Sequence, residues 1–406
     1  MHVAFLEPSF PANQRQFLRG LVQSGAAVTA ISERPAEAIP ADLRSRLFGF
    51  EQVRSVVDEA AVRDAVRRTS TRRPVDRLEA TVEAHVMAAA RVREQLGIQG
   101  TSVRTAHLCR DKAAMKEAIR AAGLPCAQSA RCANEAEVRA FVVAQGYPIV
   151  LKPLDAAGAS GVIKVANDAE LPAAMAASGV SAGKAIAVEE FLEGHEGFYD
   201  TISIGGVVAV DFVSHYFPGV LEAMRTRWIS PQIVVTNRIG DPSYDELEKL
   251  GQDALRALGV QTSPTHMEWF FGPKGLKFSE IGCRPPGVGV WDLYAAANEF
   301  DIFAAWAEAI VHGRISQRPS RRFSAGMIAL RPDRDGRISG CEGVEELQRR
   351  YGNNLIDVHF PPVGTATQGV EAGYMANAWV RMKHEDFDQL RAMLNWVGEN
   401  VKLRAQ

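Results

Sequence analysis

The stretch Thr265–Arg284, THMEWFFGPKGLKFSEIGCR, decides how the rest of the chain is read. Two β-like runs flank Pro273-Lys274-Gly275, a good three-residue hairpin loop in which proline starts a type I turn and glycine takes the left-handed position. With that loop Gly272 pairs with Leu276, Phe270 faces Phe278 and Glu268 faces Glu280. Directly opposed residues share a face, with Cβ atoms roughly 5 Å apart. Two carboxylates placed so close repel each other unless something positive sits between them. Hard oxygen ligands of this kind suit Mg²⁺, with nucleotide phosphates completing its shell. A register slip that puts the two on opposite faces, or a half-exposed strand that tolerates them, is the competing reading. Arg284 follows four residues after Glu280 and precedes Pro285, which favours extended backbone there, so its guanidinium can reach the same face and clamp a phosphoryl group.

Upstream, Lys152 lies in the apolar strand PIVLKPL. A buried lysine is costly unless paired, so it should meet an anion; an edge-strand lysine facing water is the alternative. The loop Asp155–Gly161 follows, with Gly158, Ser160 and Gly161, whose small residues leave backbone N–H groups open to a phosphate. The same composition also makes an ordinary flexible turn. It is not a Walker loop: a strand follows it, and the nearest GxxxxGK[ST] attempt, Gly179–Ala185, is one residue short and lacks the hydroxyl. Lys112 sits in the first turn of a helix capped by Asp111, where the macrodipole disfavours a cation unless a phosphate binds there; a solvated lysine reads equally well. In Glu189–Glu196, acidic residues follow an apolar run. A strand end can show amide and carbonyl to an adenine edge while a carboxylate further on accepts from ribose hydroxyls; a charged turn that keeps a β-edge soluble also fits.

The 406 residues make two to three ordinary domains, with 47% hydrophobic and 23% charged side chains. That mix excludes disordered and collagen-like chains. A formal charge of -2 gives no net positive field for nucleic acid or an anionic membrane. Cysteines 109, 126, 132, 283 and 341 are odd in number and never spaced CxxC, which fits a reducing, cytoplasmic compartment rather than a disulfide framework or a zinc ribbon. The N-terminus lacks a signal-peptide pattern, and no apolar run is long enough to span a membrane.

Strand His2–Leu6, helix Asn13–Gln23 and strand Ala27–Ile31 make a βαβ unit, hence parallel sheet and α/β class. Its first turn, EPSFPANQ, holds no glycine, which argues against a nicotinamide dehydrogenase. Residues 51–100 read as mostly helical, clearest over Glu79–Leu96, with a boundary near 97–102. From 147 to 215 the signal is β, including one run over Thr201–Val213. A helix over Tyr244–Leu258 comes before the hairpin, and a third unit, with short strands and a final helix near Glu385–Val401, starts past Pro319.

The order Lys112, Lys152, glycine loop, Glu189–Glu196, Glu268, Glu280, Arg284 resembles the ATP-grasp superfamily, and within it the carboxylate–amine ligases such as the amino-acid ligases that make dipeptides. The resemblance implies a pre-ATP-grasp domain over 1–104, an ATP-grasp domain over 105–319 with a mobile β-rich lid at about 145–195, and a C-terminal α+β subdomain over 320–406. It implies that Lys112 and Lys152 bind ATP phosphates under the loop holding Gly158, Ser160 and Gly161. Glu189 would accept from the adenine amino group, the backbone of Glu190 and Leu192 would lie along the adenine edge, and Glu196 would hold the ribose. Glu268 and Glu280 would ligate Mg²⁺, while Arg284 and Lys152 act in the chemistry. One position departs from the pattern: Gly282 stands where many members have a metal-ligating asparagine. Cys283 beside it reads as a small structural residue.

The implied reaction is formation of an amide or peptide bond through an acyl phosphate, with release of ADP and phosphate. The substrates would be ATP, a small carboxylate and an amine, and relatives are often homodimers. A bicarbonate-activating carboxylase, a small-molecule kinase and an ATP-binding protein without turnover are the other readings. His215, Tyr216, Arg225, Arg227 and Trp291 are candidates for the acceptor pocket, because they lie between or just past the nucleotide motifs; ordinary packing or surface positions read equally well for each.

Overall fold

A computed structural model of the chain describes residues 1–154, 161–372, 374 and 378–406. Strand His2–Leu6 pairs in parallel with Ala27–Ser32 on one side and Arg77–Glu79 on the other, and Gly49–Gln52 completes the sheet. Helix Gln14–Gln23 crosses over with Phe17, Leu18, Leu21 and Val22 buried, the spacing of an apolar stripe facing a core. The expected βαβ unit is present. Glu79, expected to open a helix, instead ends a strand: Leu78 is fully buried beside the first strand, and the helix begins at Val86. Tertiary pairing overrides the local helical pattern there.

The middle of the molecule is an eight-stranded sheet, antiparallel throughout. The single run expected over Thr201–Val213 is a hairpin, His195–Ile204 with Val207–Phe217, turning at Gly205 and Gly206, whose φ values of 57° and 84° belong to glycine. Residues past 320 add Ser324–Leu330, Ala378–His384 and Leu355–His359 to this same sheet. A separate four-stranded antiparallel sheet, Ser129–Cys132, Ile186–Glu190, Ile149–Pro153 and Ile163–Val165, stands over it. Helix Lys112–Ala121 leads into it, capped by Asp111, which accepts from the Ala113 and Ala114 N–H groups. Among the described residues no helix is long and apolar enough to cross a membrane.

The hairpin that opened the sequence reading joins Ser263–Gly272 to Gly275–Gly282. Its turn is one residue shorter than expected, with Gly272 opposite Gly275, Phe270 opposite Lys277 and Trp269 opposite Phe278. A bulge at Ser279 then restores the register, and Glu268 stands opposite Glu280. The tip of the hairpin lies against the turn before His195 so closely that a Cβ on Gly272 would come 2.0 Å from the Glu193 carbonyl oxygen.

The largest core cluster ties the N-terminal sheet to the central one. Trp306 is 1% exposed, and its ring meets Phe5 at 6.0 Å and Phe17 at 5.1 Å. Trp291, an acceptor-pocket candidate from sequence, packs 4.9 Å from Phe17 in this cluster and is a core residue. Trp306→Ala should therefore destabilise the protein by about 3–5 kcal/mol, read as a fall in the urea midpoint.

Candidate active site

A cleft of about 460 Å³ is lined by the small sheet through Lys152, Lys164 and Glu189, and by the central sheet through Glu196, Glu268 and Glu280. Helix Lys112–Ala121 contributes Lys112 and Lys116 to it. Gly158 and Ser160 lie outside the described residues; Gly161 is exposed, with φ 70°.

Both lysines expected at the phosphates are paired with carboxylates. Lys112 Nζ is 3.2 Å from Glu280 Oε2, so that carboxylate balances a cation placed at a helix start. Lys152 Nζ is 2.7 Å from Glu189 Oε2. The same oxygen lies 2.6 Å from Lys116 Nζ, and Lys116 is 1% exposed. Burial acts to raise the Glu189 pKa, but Lys116 and then Lys152 outweigh it and bring it to about 2. Glu189 Oε1 is buried with no hydrogen-bond partner among the described residues, an acceptor site fitted to a ligand amino group. Sequence reasoning missed Lys116, although it follows Lys112 by one helical turn and so shares its face.

Leu192 and Glu190 line the cleft as well. The Glu190 backbone N–H already donates to the Gln128 carbonyl at 2.9 Å, so part of the backbone expected along an adenine edge is committed within the protein. Lys164, also missed from sequence, sits 3.7 Å from the centre of the Phe191 ring and closes one wall. Glu196 accepts the Val220 N–H at 2.7 Å. Burial pushes its pKa up to about 7 against that hydrogen bond and Lys152.

Glu268 and Glu280 are shifted in opposite directions. Burial, then the charge of Glu280 and of Glu196, push Glu268 up to about 8. Burial also acts to raise Glu280, but Lys112 and Lys152 prevail and hold it below the ordinary range. Two facing carboxylates, one of which opposes the other's ionisation, fit a divalent cation. No group of three or more His, Cys, Asp or Glu that could hold a metal occurs among the described residues. An ion held by the pair would need further ligands, which phosphate and water can supply. His266, two residues before Glu268 and on the same face, holds its Nδ1 2.7 Å from Asp200. Tyr294 donates to the other Asp200 oxygen at 2.6 Å, and His266 Nε2 is 3.9 Å from Glu268. Sequence reasoning passed over His266, although its alternation with Glu268 was a signal.

Arg284 lines a small neighbouring cavity with Glu280, Lys112 and His266. Its Nε donates to Glu83 Oε2 at 2.9 Å. Glu83 comes from the N-terminal unit, 201 residues away in sequence, and no local pattern marks it. Cys283 and Cys109 are buried with sulfurs 2.8 Å apart, and the contact with Cys283, together with burial, holds the Cys109 thiol well above its ordinary pKa. Neither is an exposed nucleophile. Of the acceptor candidates, Arg225 lines the cleft and donates to the Val162 carbonyl. Tyr216 is buried among Phe198 and Tyr374 with Glu268 nearby. His215 is held between His195 and Tyr244 and does not line the cleft, and Arg227 pairs with Asp335, so these two, like Trp291, take the packing or surface reading.

The charge state of Glu268 sets a stability test. Its folded pKa of about 8 exceeds the unfolded value of 4.5. The stability it contributes is thus complete below the unfolded value and is lost as pH rises through 8. In magnesium-free buffer Glu268→Gln should flatten that loss and leave the variant more stable than the parent at about pH 9, measured by urea unfolding across pH.

Residues 111–198 match the family model described as the ATP-binding domain of the carbamoyl-phosphate synthase L chain. The match runs from the Asp111 cap past Glu196. The chain is 24% identical over 289 residues to an uncharacterised protein of Sinorhizobium fredii, covering 69% of this chain and 58% of that one, so it spans little more than half of that relative. It is 24% identical over 296 residues to the L-arginine-specific L-amino acid ligase of Bacillus subtilis, covering 69% of this chain and 68% of that one. A crystal structure of an L-amino acid ligase from Bacillus licheniformis superposes with a TM-score of 0.77 at 20% identity, over 100% of this chain and 98% of that one. Over residues 111–198, which include the cleft residues Lys112, Lys152 and Glu189, the chain is thus similar to that ATP-binding domain, and over its whole length it shares the fold of the L-amino acid ligase structure.

Proposed function

We propose that this chain is an ATP-dependent carboxylate–amine ligase that forms an amide or peptide bond and releases ADP and phosphate. The observation that carries the reading is the convergence of Glu268 and Glu280 with Lys112 and Lys152 at one cleft, with Arg284 in the small cavity that shares Lys112 and Glu280 with it. Similarity to proteins named as L-amino acid ligases supports it.

In the proposed reaction a substrate carboxylate oxygen attacks the γ-phosphorus of ATP. The bond to the β-bridging oxygen breaks, leaving an acyl phosphate and ADP. An amine nitrogen then attacks the acyl carbon, phosphate departs with its oxygen, and the nitrogen gives up a proton. Glu268 and Glu280 would hold Mg²⁺, which when bound neutralises charge on the phosphate chain. Lys112 and Lys152 exchange their carboxylate partners for phosphate oxygens and so orient the nucleotide. Arg284 offers its remaining N–H donors to the transferring phosphoryl group, stabilising charge that develops during transfer. The small sheet covering the cleft keeps water from the acyl phosphate.

Purified protein incubated with Mg-ATP and pooled amino acids and small carboxylic acids should release ADP and phosphate together, and only with substrate. ADP without phosphate would make it a kinase, and AMP with pyrophosphate would refute the acyl phosphate. Glu268→Ala should lower ADP formation by roughly 100-fold or more. Lys152→Met should raise the KM for ATP by about tenfold or more, reflecting the loss of one charge-assisted contact.

A further inference from the structure

We infer that Glu83 is a positioning residue for Arg284, and that residue 282 is glycine because Glu83 takes the room its side chain would need. The role of Arg284 rests on the ligase reading; the packing claim does not.

Gly282 ends the second hairpin strand, opposite His266. Residues 280, 282 and 284 alternate with the buried Ile281 and Cys283, so position 282 points the same way as Glu280 and Arg284. Its φ is not among the positive values of the described glycines, so the backbone there does not demand glycine. Space does. A Cβ at 282 would lie 3.3 Å from Glu83 Oε2, 3.5 Å from Arg284 Nε and 3.6 Å from Arg284 Cγ. A single methyl group would already press on the end of the Glu83 side chain, which must shift by a few tenths of an ångström to admit it.

The pair itself is held from several sides. Glu83 Oε2 accepts from Arg284 Nε at 2.9 Å, while Arg110 donates to Glu83 Oε1 at 3.3 Å and to its carbonyl at 3.1 Å. Arg284 also donates from one terminal nitrogen to the Pro285 carbonyl at 2.9 Å. The side chains of Arg284 and Glu83 keep 20% and 28% of their exposure, so water only partly screens the contact. A guanidinium is planar with its donors in a fixed fork. Fixing Nε and one terminal nitrogen therefore sets the plane and direction of the donors that remain. Glu83 reaches across from the loop after strand Arg77–Glu79, so the N-terminal unit aims an arginine of the central sheet.

The test is a pair of cycles. In the first, Glu83→Gln and Glu83→Ala are compared with the parent for substrate-dependent ADP and phosphate release, with Arg284→Ala as reference. The kcat should fall roughly 10- to 100-fold with little change in the KM for ATP, as for a misplaced catalytic group. Glu83→Asp should recover part of it, and adding Glu83→Ala to Arg284→Ala should lower kcat no further. Parental kcat in Glu83→Ala, or losses that multiply, would overturn the positioning role. In the second cycle, Gly282→Asn should lower the melting temperature of the ligand-free parent by about 2 °C, and by clearly less in the Glu83→Ala background. Equal shifts in the two backgrounds would overturn the packing claim. The melting cycle needs no turnover. A parent that makes no ADP with any substrate refutes the ligase reading and the role it lends Arg284, while a Gly282→Asn penalty that Glu83→Ala does not relieve refutes this inference alone.

Discussion

Glu268 and Glu280 stand opposite each other on neighbouring strands and line one cleft, with side chains 17% and 25% exposed. Like charges so placed are tolerated only if cations surround them or if one carboxyl keeps its proton. The protein does both. Lys112 takes Glu280, Lys152 adds a more distant positive charge, and burial with the charge of Glu280 pushes the Glu268 pKa up to about 8, which favours its protonated form. The helix that delivers Lys112, the strand that delivers Lys152 and the hairpin itself must all meet at this point, which is why three separate elements converge on it.

The lysines are not bare receptors waiting for anions. Each already has a carboxylate partner, so in the proposed reaction a nucleotide phosphate would enter by exchange rather than by filling empty space. Exchange is hazardous for a buried carboxylate, since removing its only counter-ion leaves an uncompensated charge. Glu189 has two. Lys116 stays beside it whichever way Lys152 turns, and so the strand end can keep its ionised acceptor throughout.

Much of this was legible in the chain, because it depended on local rules. The βαβ spacing and the Asp111 cap follow from periods and capping chemistry acting within about thirty residues. The losses have a common cause. Glu83 reaches Arg284 across 201 residues, and Arg77–Glu79 becomes a strand only because His2–Leu6 offers it an edge. Trp291 looked like a pocket residue by its place in the order, yet the N-terminal helix covers it. Even the hairpin was reached by two departures that cancel: a turn one residue shorter than its Pro-Lys-Gly sequence suggests, and a bulge that no composition announces.

That bulge has a consequence for how much chemistry one strand can hold. In a regular ladder only every second side chain looks toward a given face. At Ser279 the extra residue interrupts the alternation, and both Ser279 and Glu280 line the cleft. The density of polar groups is thus doubled over one step of the strand, at the point where negative charge is most concentrated. Beyond it the alternation resumes, with Ile281 and Cys283 turned into the core and Arg284 turned back toward the site. A single inserted residue lets a strand stitched into the core on one side present a nearly continuous working edge on the other.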